Sequence, residues 1–362
     1  MGDERLVPDF KITLDGKPLS KDLAPQLHQI EVQQSIGLID MATLTLGNPH
    51  GLVADQACFK HGADLVIKAG YLGNLVKVFQ GDVVSIEPDF PTSGTPSVVV
   101  RAYDRLHRYH RDRKQRIFLN QKVSDVISKL AKEEGLAADV ETTKGQRDYL
   151  FQNNQSNVEM ILELARREGY ETEVNDKGKL FVGKPRTKEA KKGVLTWGET
   201  LKSFYVRSSV NNVPTQVTVR YWDMIQKVAV IETNSPLEGK LKPIDAAPKT
   251  AEKAFKRANR QVSIRPCTDA GEAKALATAI FNKQALDSVQ ARATSLGETA
   301  LTAGRIVEML GLGKMWSGLY YISGATHIFT PEGGYTTELL LRRNGTGYPA
   351  KNRQINPPGS KA

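Results

Sequence analysis

Cysteine is nearly absent: Cys58 and Cys267 are the only two in 362 residues. Two thiols cannot build a disulfide scaffold or a four-cysteine zinc site, and both read as free thiols of a reducing compartment. No apolar run approaches the roughly 18 residues of a membrane span, so membrane insertion is not expected. The N-terminus, Met1-Gly2-Asp3-Glu4-Arg5, is charged and has no apolar core, which predicts no secretory leader. Nucleotide and hydrolase motifs are missing too. The nearest approach to a phosphate loop is Gly311-Leu312-Gly313-Lys314, but Glu308 stands where a Walker loop needs glycine and Met315 where it needs Ser or Thr. No nucleophile elbow, dinucleotide fingerprint or H-E-x-x-H occurs. Asp125, Glu133, Glu134, Glu159 and Glu163 fall on predicted helices without an apolar pocket, so no glycosidase pair is supported. These absences predict no catalytic residue, no cofactor and no metal.

Acidic residues are also outnumbered, at 40 against 50 basic, for a formal charge of +10 and a pI near 9.4. The excess is local. Residues 101–122, 179–192, 227–266 and 342–362 together carry +21, so the remainder carries −11. A module that reads DNA gathers its charge on one element or surface, whereas three of these stretches read as loops or termini. Sequence-specific nucleic-acid binding is therefore not expected, although a nucleic-acid-binding barrel remains an alternative. Hydrophobic content of 40% is too high for a disordered chain, and the length accommodates two or three domains.

The first hundred residues read as β. Phe10–Leu14 alternates into an Asp15-Gly16 turn, and Ile30–Val32, Ala42–Leu46, Leu65–Ile67, Leu75–Phe79, Asp82–Ile86 and Ser97–Arg101 are further short strands rich in Val, Ile and Thr. Such spacing predicts a barrel or sandwich over residues 1–104. The texture then changes. Val123, Val126, Ile127, Leu130 and Ala131 have helical spacing before Gly135. A capping-box pattern, Ser156 to Glu159, opens a second helix that Gly169 ends. With strands at Tyr149–Phe151 and Lys179–Val182, residues 105–192 predict a small α/β domain. From residue 193 to 345 the chain reads as a second barrel, interrupted at 234–290 by a Lys-, Pro- and Ala-rich excursion and a helix opened by Asp269 and Glu272. Residues 346–362 predict a flexible tail. The fold class expected is mainly β with an α+β insertion.

The two β regions resemble each other. At a constant offset of 174, Ile30, Val32, Ser35, Ile36, Ile39, Thr43 and Thr45 fall on Phe204, Val206, Ser209, Val210, Val213, Val217 and Val219. Phe79-Gln80-Gly81 likewise falls on Trp316-Ser317-Gly318, each followed by an apolar run and an arginine at Arg101 and Arg342. This predicts a duplication. Two similar barrels per chain, in a trimer, would present six similar barrels in a ring. Such a ring can meet a three-fold object on one face and a six-fold object on the other.

The C-terminal segment carries a resemblance. Gly304-Arg305-Ile306-Val307, Gly311-Leu312-Gly313, Trp316 to Ile322, Ala325-Thr326-His327, Gly334 to Glu338 and Arg342-Arg343 resemble the phage late control D family. These are baseplate hub proteins of contractile tails, related to the hub portion of valine-glycine-repeat spike proteins of type VI secretion and extracellular contractile injection systems. Phe79 to Ile86, Tyr103 to Leu106, Gln152 to Glu159 and Leu164 to Tyr170 are similar to other parts of the family pattern. The resemblance implies a non-enzymatic homotrimer between the hexameric tail tube and a trimeric spike. It implies assembly in the bacterial cytoplasm and incorporation into a tail baseplate. Spike-fused members continue into a needle, so the expectation here is a spike on a separate polypeptide. A hub with cell-wall hydrolase activity is the other alternative.

Two residue groups stand out as partner contacts. Arg101, Arg105, Arg108, Arg111, Arg113, Lys114 and Arg116 could face an acidic tube subunit, other baseplate proteins, tape measure or exported cargo through bidentate arginine pairs. Arg342, Arg343, Lys351 and Arg353 could reach the spike. His107 and His110 are three apart, but seven positive groups around them would repel a cation. His327 reads as a hydrogen-bonded structural histidine.

Overall fold

The computed structural model describes residues 7–348, apart from 175–177, 224–226, 235–238, 240, 242, 265, 266 and 268. Seven strands come first: β1 (Pro8–Leu14), β2 (Lys17–Pro18), β3 (Leu27–Ser35), β4 (Met41–Gly47), β5 (Asp64–Tyr71), β6 (Asn74–Asp89) and β7 (Ser97–Asp104). Their period-two pattern puts Ile12, Leu14, Ile30, Val32, Leu44, Leu46, Leu65, Ile67, Val98 and Val100 into one core. Burying each branched side chain there contributes about 1.5–3 kcal/mol.

A middle layer follows: β8 (Arg113–Gln121), α1 (Val123–Glu133), β9 (Ala138–Val140), β10 (Arg147–Ser156), α2 (Asn157–Glu168), β11 (Glu171–Val174) and β12 (Leu180–Gly183). The capping box is formed. Ser156 Oγ accepts from the Glu159 amide at 3.2 Å, and Glu159 Oε2 accepts from the Ser156 amide at 2.8 Å. Gly169 closes the helix at φ 71°, where a β-carbon is disfavoured. Val126, Ile127, Leu130, Val158, Ile161 and Leu164 bury the facing sides of the two helices.

The rest of the chain contains β13 (Lys191–Thr196), β14 (Leu201–Ser208), β15 (Gln216–Asp223), β16 (Val228–Asn234), β17 (Asp245–Ala246), α3 (Ala247–Phe255), β18 (Arg260–Ile264) and α4 (Ala270–Leu286). It ends with β19 (Val289–Leu296), β20 (Ile306–Leu310), α5 (Gly313–Trp316), β21 (Gly318–Thr330), β22 (Gly334–Arg343) and β23 (Gly345–Thr346). Asp269 caps α4 by accepting from the Glu272 amide at 2.8 Å. The other half of the expected box is replaced, because the Glu272 carboxylate turns to Arg147 instead.

The expected duplication is visible in strand order and in register. The first unit reads β3-β4-β7-β6-β5-β1 across the sheet, and the second reads β14-β19-β22-β21-β20-β13. Both begin with a register step, after Leu27 opposite Leu46 and after Leu201 opposite Ser295. Both have a second step, from Val83 to Ser85 on β6 and from Ile322 to Gly324 on β21. A matching pair of bonds flanks each of these second steps. Val83 exchanges bonds with Gly62 and Ala63 at 2.8 and 3.0 Å, and Ile322 with Gly304 and Arg305 at 2.8 Å each. The outermost strands differ, since β1 runs antiparallel to β5 but β13 runs parallel to β20.

Two details of the sequence alignment are corrected. The offset of 174 holds for β3 and β14 but fails for Thr43 and Thr45. The ladder equates β4 with β19, whereas β15 lies in a separate sheet, β16-β15-β18, backed by α4. The insertion of residues 216–287 between adjacent strands of the second unit displaced the match. Gly81 and Gly318 are not equivalent either. Ile67 faces Phe79 as Met309 faces Gly318, and Leu65 faces Gly81 as Val307 faces Tyr320. Alternation alone tolerates a two-residue slip, because it keeps every side chain on its own face.

The two units are joined edge to edge, each around its own core. The outer edge of β3 pairs with β21, from Ser35 opposite Gly324 to Ile30 opposite Phe329, and makes one continuous thirteen-stranded sheet. Phe329 and Tyr335 of the second unit complete the first unit's core. His327 sits in this joint opposite Val32, fully buried, with Nδ1 2.8 Å from the Tyr335 hydroxyl and 3.3 Å from that of Thr337. It is the structural histidine expected.

Candidate docking surfaces

The seven basic residues of the 101–116 stretch are spent largely inside the chain. Arg101 Nε lies 2.9 Å from Glu87, and Arg105 Nη2 lies 3.4 Å from Asp64. Arg108 Nη2 and His107 Nε2 reach the two oxygens of Asp82 at 2.6 and 2.8 Å. Burial pushes the Asp82 carboxyl up, but the bonds from Arg108 and His107 outweigh it and hold the group below its ordinary value. Further on, Arg113 meets Glu159 at 2.9 Å, Lys114 lies between Asp112 and Glu134 at 3.4 and 3.6 Å, and Arg116 meets Glu133 at 2.7 Å. Among the described residues only Arg111 of the seven has no ion pair. The stretch therefore ties the first unit, through Glu87, Asp64 and Asp82, to α1 and α2, through Glu133, Glu134 and Glu159. The sequence shows the cations as a run; it does not show that six of the seven find a carboxylate at least fourteen residues away.

The C-terminal group divides. Arg342 pairs with Asp287 at 3.0 Å. Arg343 is 1% exposed and donates to the carbonyl oxygens of Ser317 and Gly347 at 3.0 and 2.5 Å, with its guanidinium 5.3 Å from the Tyr320 ring. Its charge is consumed in pinning residues 345–348 against α5, so it does not present a contact surface. Lys351 and Arg353 lie outside the described residues. No group of three His, Cys, Asp or Glu side chains placed to hold a metal occurs among the described residues, and His107 is engaged by Asp82. A depression of about 440 Å³ lined by Arg113, Asn154, Glu159 and Arg166 is polar and mixed in charge.

Two apolar faces were not anticipated. On the outer side of the β8–β10 pair, Leu119 faces Tyr149 and Ile117 faces Phe151, all exposed. On the side of β16-β15-β18 away from α4, Trp222, Ile231, Val262 and Ile264 are exposed, Ile264 by 82%. The signal was present: Ile117-Phe118-Leu119 and Tyr149-Leu150-Phe151 are apolar in both strand phases, the mark of a strand meant to be covered on both sides.

Buried and half-buried acids gather where the middle layer meets both units. The Asp104 carboxylate accepts from the amides of Asp40 and Leu106 at 2.8 and 2.7 Å, and burial raises it to about 6. Asp40 is raised by burial and by Asp104. Glu171 accepts from the Tyr321 hydroxyl and is raised by burial to about 7. Glu173 pairs with Arg186 and Arg305. This is an inter-layer junction, where Asp104, Glu171 and Glu173 are each engaged by another part of the chain.

Residues 4–330 match the model of the Alg8 N-terminal domain family. The chain belongs to that family. No curated protein matches the chain. Among solved structures, this family member is similar to the 43 kDa tail protein of prophage MuSo2 from Shewanella oneidensis. The TM-score is 0.67 at 15% identity, over 93% of this chain and 98% of that one. The tail protein of Neisseria meningitidis MC58 gives 0.67 at 12% identity, over 93% and 97%. The E. coli c3393 protein, a component of the type VI secretion system, gives 0.57 at 12% identity, over 94% and 79%. The fold is thus that of phage tail and type VI secretion components.

Proposed function

We propose that the chain is the baseplate hub of a contractile tail or injection machine, similar in role to late control D proteins. In this reading it is a homotrimer that seats a trimeric spike on one face and starts the hexameric tube on the other. It bears load and transmits symmetry, and needs no catalytic residue. The observation that carries the reading is the duplicated unit: one chain holds two sheets of the same strand order and register, joined edge to edge. Three such chains supply six near-equivalent sheets, which is what a three-to-six adaptor requires. The similarity in fold to tail proteins supports it. The internal neutralisation of the 101–116 arginines removes the main ground for nucleic-acid binding. The working site of the machine is a tail baseplate, with spike and tube subunits as neighbours. The test is assembly without this chain. Particles of its own locus should then lack initiated tubes and spikes, and normal full-length particles would refute the role.

A further inference from the structure

The duplication leaves one joint open. In the closed joint, β3 of the first unit pairs with the second half of β21. The equivalent edges are β14 in the second unit and the second half of β6 in the first. Both are free among the described residues over the span concerned: beyond Leu201, which bridges Trp197, β14 pairs only with β19, and β6 beyond Val83 pairs only with β7. We propose that β14 of one chain pairs with residues 84–90 of a second copy, in the register of the β3–β21 joint. This deepens the trimer reading and rests on it.

The register can be written down. Val83 corresponds to Ile322, and Ile30 corresponds to Phe204. Ser85 then faces Ser209, Glu87 faces Arg207, Asp89 faces Tyr205 and Phe90 faces Phe204. The Val210 amide takes the place of the Ile36 amide, which donates to Ser323 at 3.1 Å in the closed joint. Exposure agrees with this position by position. From residue 79 to 84 the burial of β6 matches that of β21 from 318 to 323. Beyond that point they part. Phe90 is 62% exposed where Phe329 is 4% exposed, and Pro88 is exposed where His327 is at 0%. On the other edge, Phe204 and Val206 are half-buried where Ile30 and Val32 are at 0%, and Tyr205 is 68% exposed. The positions that remain exposed are the ones that the closed joint covers.

Charge favours a copy of this chain over an unrelated strand. Arg207 has no ion pair among the described residues. Glu87 uses Oε1 for both Arg101 and Ser85, leaving Oε2 to accept. The polar pair that Glu87 and Arg207 would replace is Thr326 opposite Gln33. Pro88 offers no amide to the Val206 carbonyl opposite it, so this joint forms with one ladder bond fewer than the closed one. The contact is head-to-tail, and with the three-fold of the trimer reading it closes into a ring.

The experiment places cysteines at both ends of the predicted pair, Glu87→Cys with Arg207→Cys, in the full chain carrying Cys58→Ser and Cys267→Ser. Directly opposed residues have β-carbons about 4.5–5.5 Å apart, near enough for a disulfide after small adjustment. The expected result is chain-to-chain linkage on oxidation, ending at a covalent trimer. Gln33→Cys with Thr326→Cys, which should link within one chain, reports on folding. A second arm uses charge: Arg207→Glu should weaken self-association about tenfold or more, and Glu87→Arg should restore it. Oligomers that form without the cross-link and ignore the charge reversal would overturn this joint while leaving the hub reading intact. A strict monomer in every condition, with the spike present as well, would overturn both.

Discussion

His327 gives the sharpest prediction about the closed joint. Its ring is fully buried between β3 and β22, and burial lowers its pKa from 6.5 to about 4. A group whose folded pKa lies below its unfolded value costs the folded state nothing above pH 6.5. Below that pH the unfolded chain takes up a proton that the folded chain refuses, so stability falls until the pH reaches about 4. The full loss is about 3 kcal/mol, and at pH 5 it is about 2 kcal/mol. His327→Gln keeps an acceptor for the Tyr335 hydroxyl and removes the titration. Asp104 and Glu171 act in the opposite sense, since their raised values make the stability they contribute greatest in acid and lost as pH rises towards 6–7, and Asp40, raised by burial and by Asp104, acts in the same direction. The total pH profile therefore mixes signs, and the difference between wild type and variant isolates the histidine. The assay is urea unfolding at pH 7.5 and 5.0 at one fixed protein concentration, since association shifts apparent stability. The wild type should lose about 2 kcal/mol relative to its variant between the two conditions. Parallel curves would show that His327 is not a buried neutral group and that the joint is wet.

Other predictions follow from single contacts. Asn48→Ala leaves the Val53 and Ala54 amides, both at 3.1 Å from its Oδ1, without an acceptor, and should cost about 1–3 kcal/mol in chemical denaturation. Gly297→Ala drives a β-carbon into the Tyr335 ring and should cost about 1–3 kcal/mol, seen as a lower melting temperature. Arg343→Met removes the donors that hold the Ser317 and Gly347 carbonyls. Protease cleavage near residue 347 should become faster. Doubling the salt concentration should change DNA retention little, because the 101–116 cations are already paired within the chain, and a steep salt slope would refute that.

Local structure was legible where local chemistry decides it. The α2 cap needed only Ser156, Glu159 and Gly169, and the half-buried strands announced themselves by alternation. The duplication could be sensed, but its register could not be fixed. Period-two patterns survive even-numbered shifts, and an insertion of some seventy residues lies between adjacent strands of the second unit. The pairing of the charged run at 101–116 was illegible for a related reason. Composition reports net charge along the chain, whereas Asp64, Asp82, Glu87, Glu133 and Glu159 are brought to it by the fold. The free edges of β6 and β14 could not be read at all, because an edge is defined by which strands fail to arrive beside it.

The central claim is that one chain supplies two near-equivalent sheets to a three-chain ring. Its most direct test is the solution mass of the purified chain, alone and together with the spike protein of its own locus. The account predicts three times the 39.9 kDa chain mass, with one spike trimer added when both are present. A particle that stays at the mass of one chain in both conditions would contradict it.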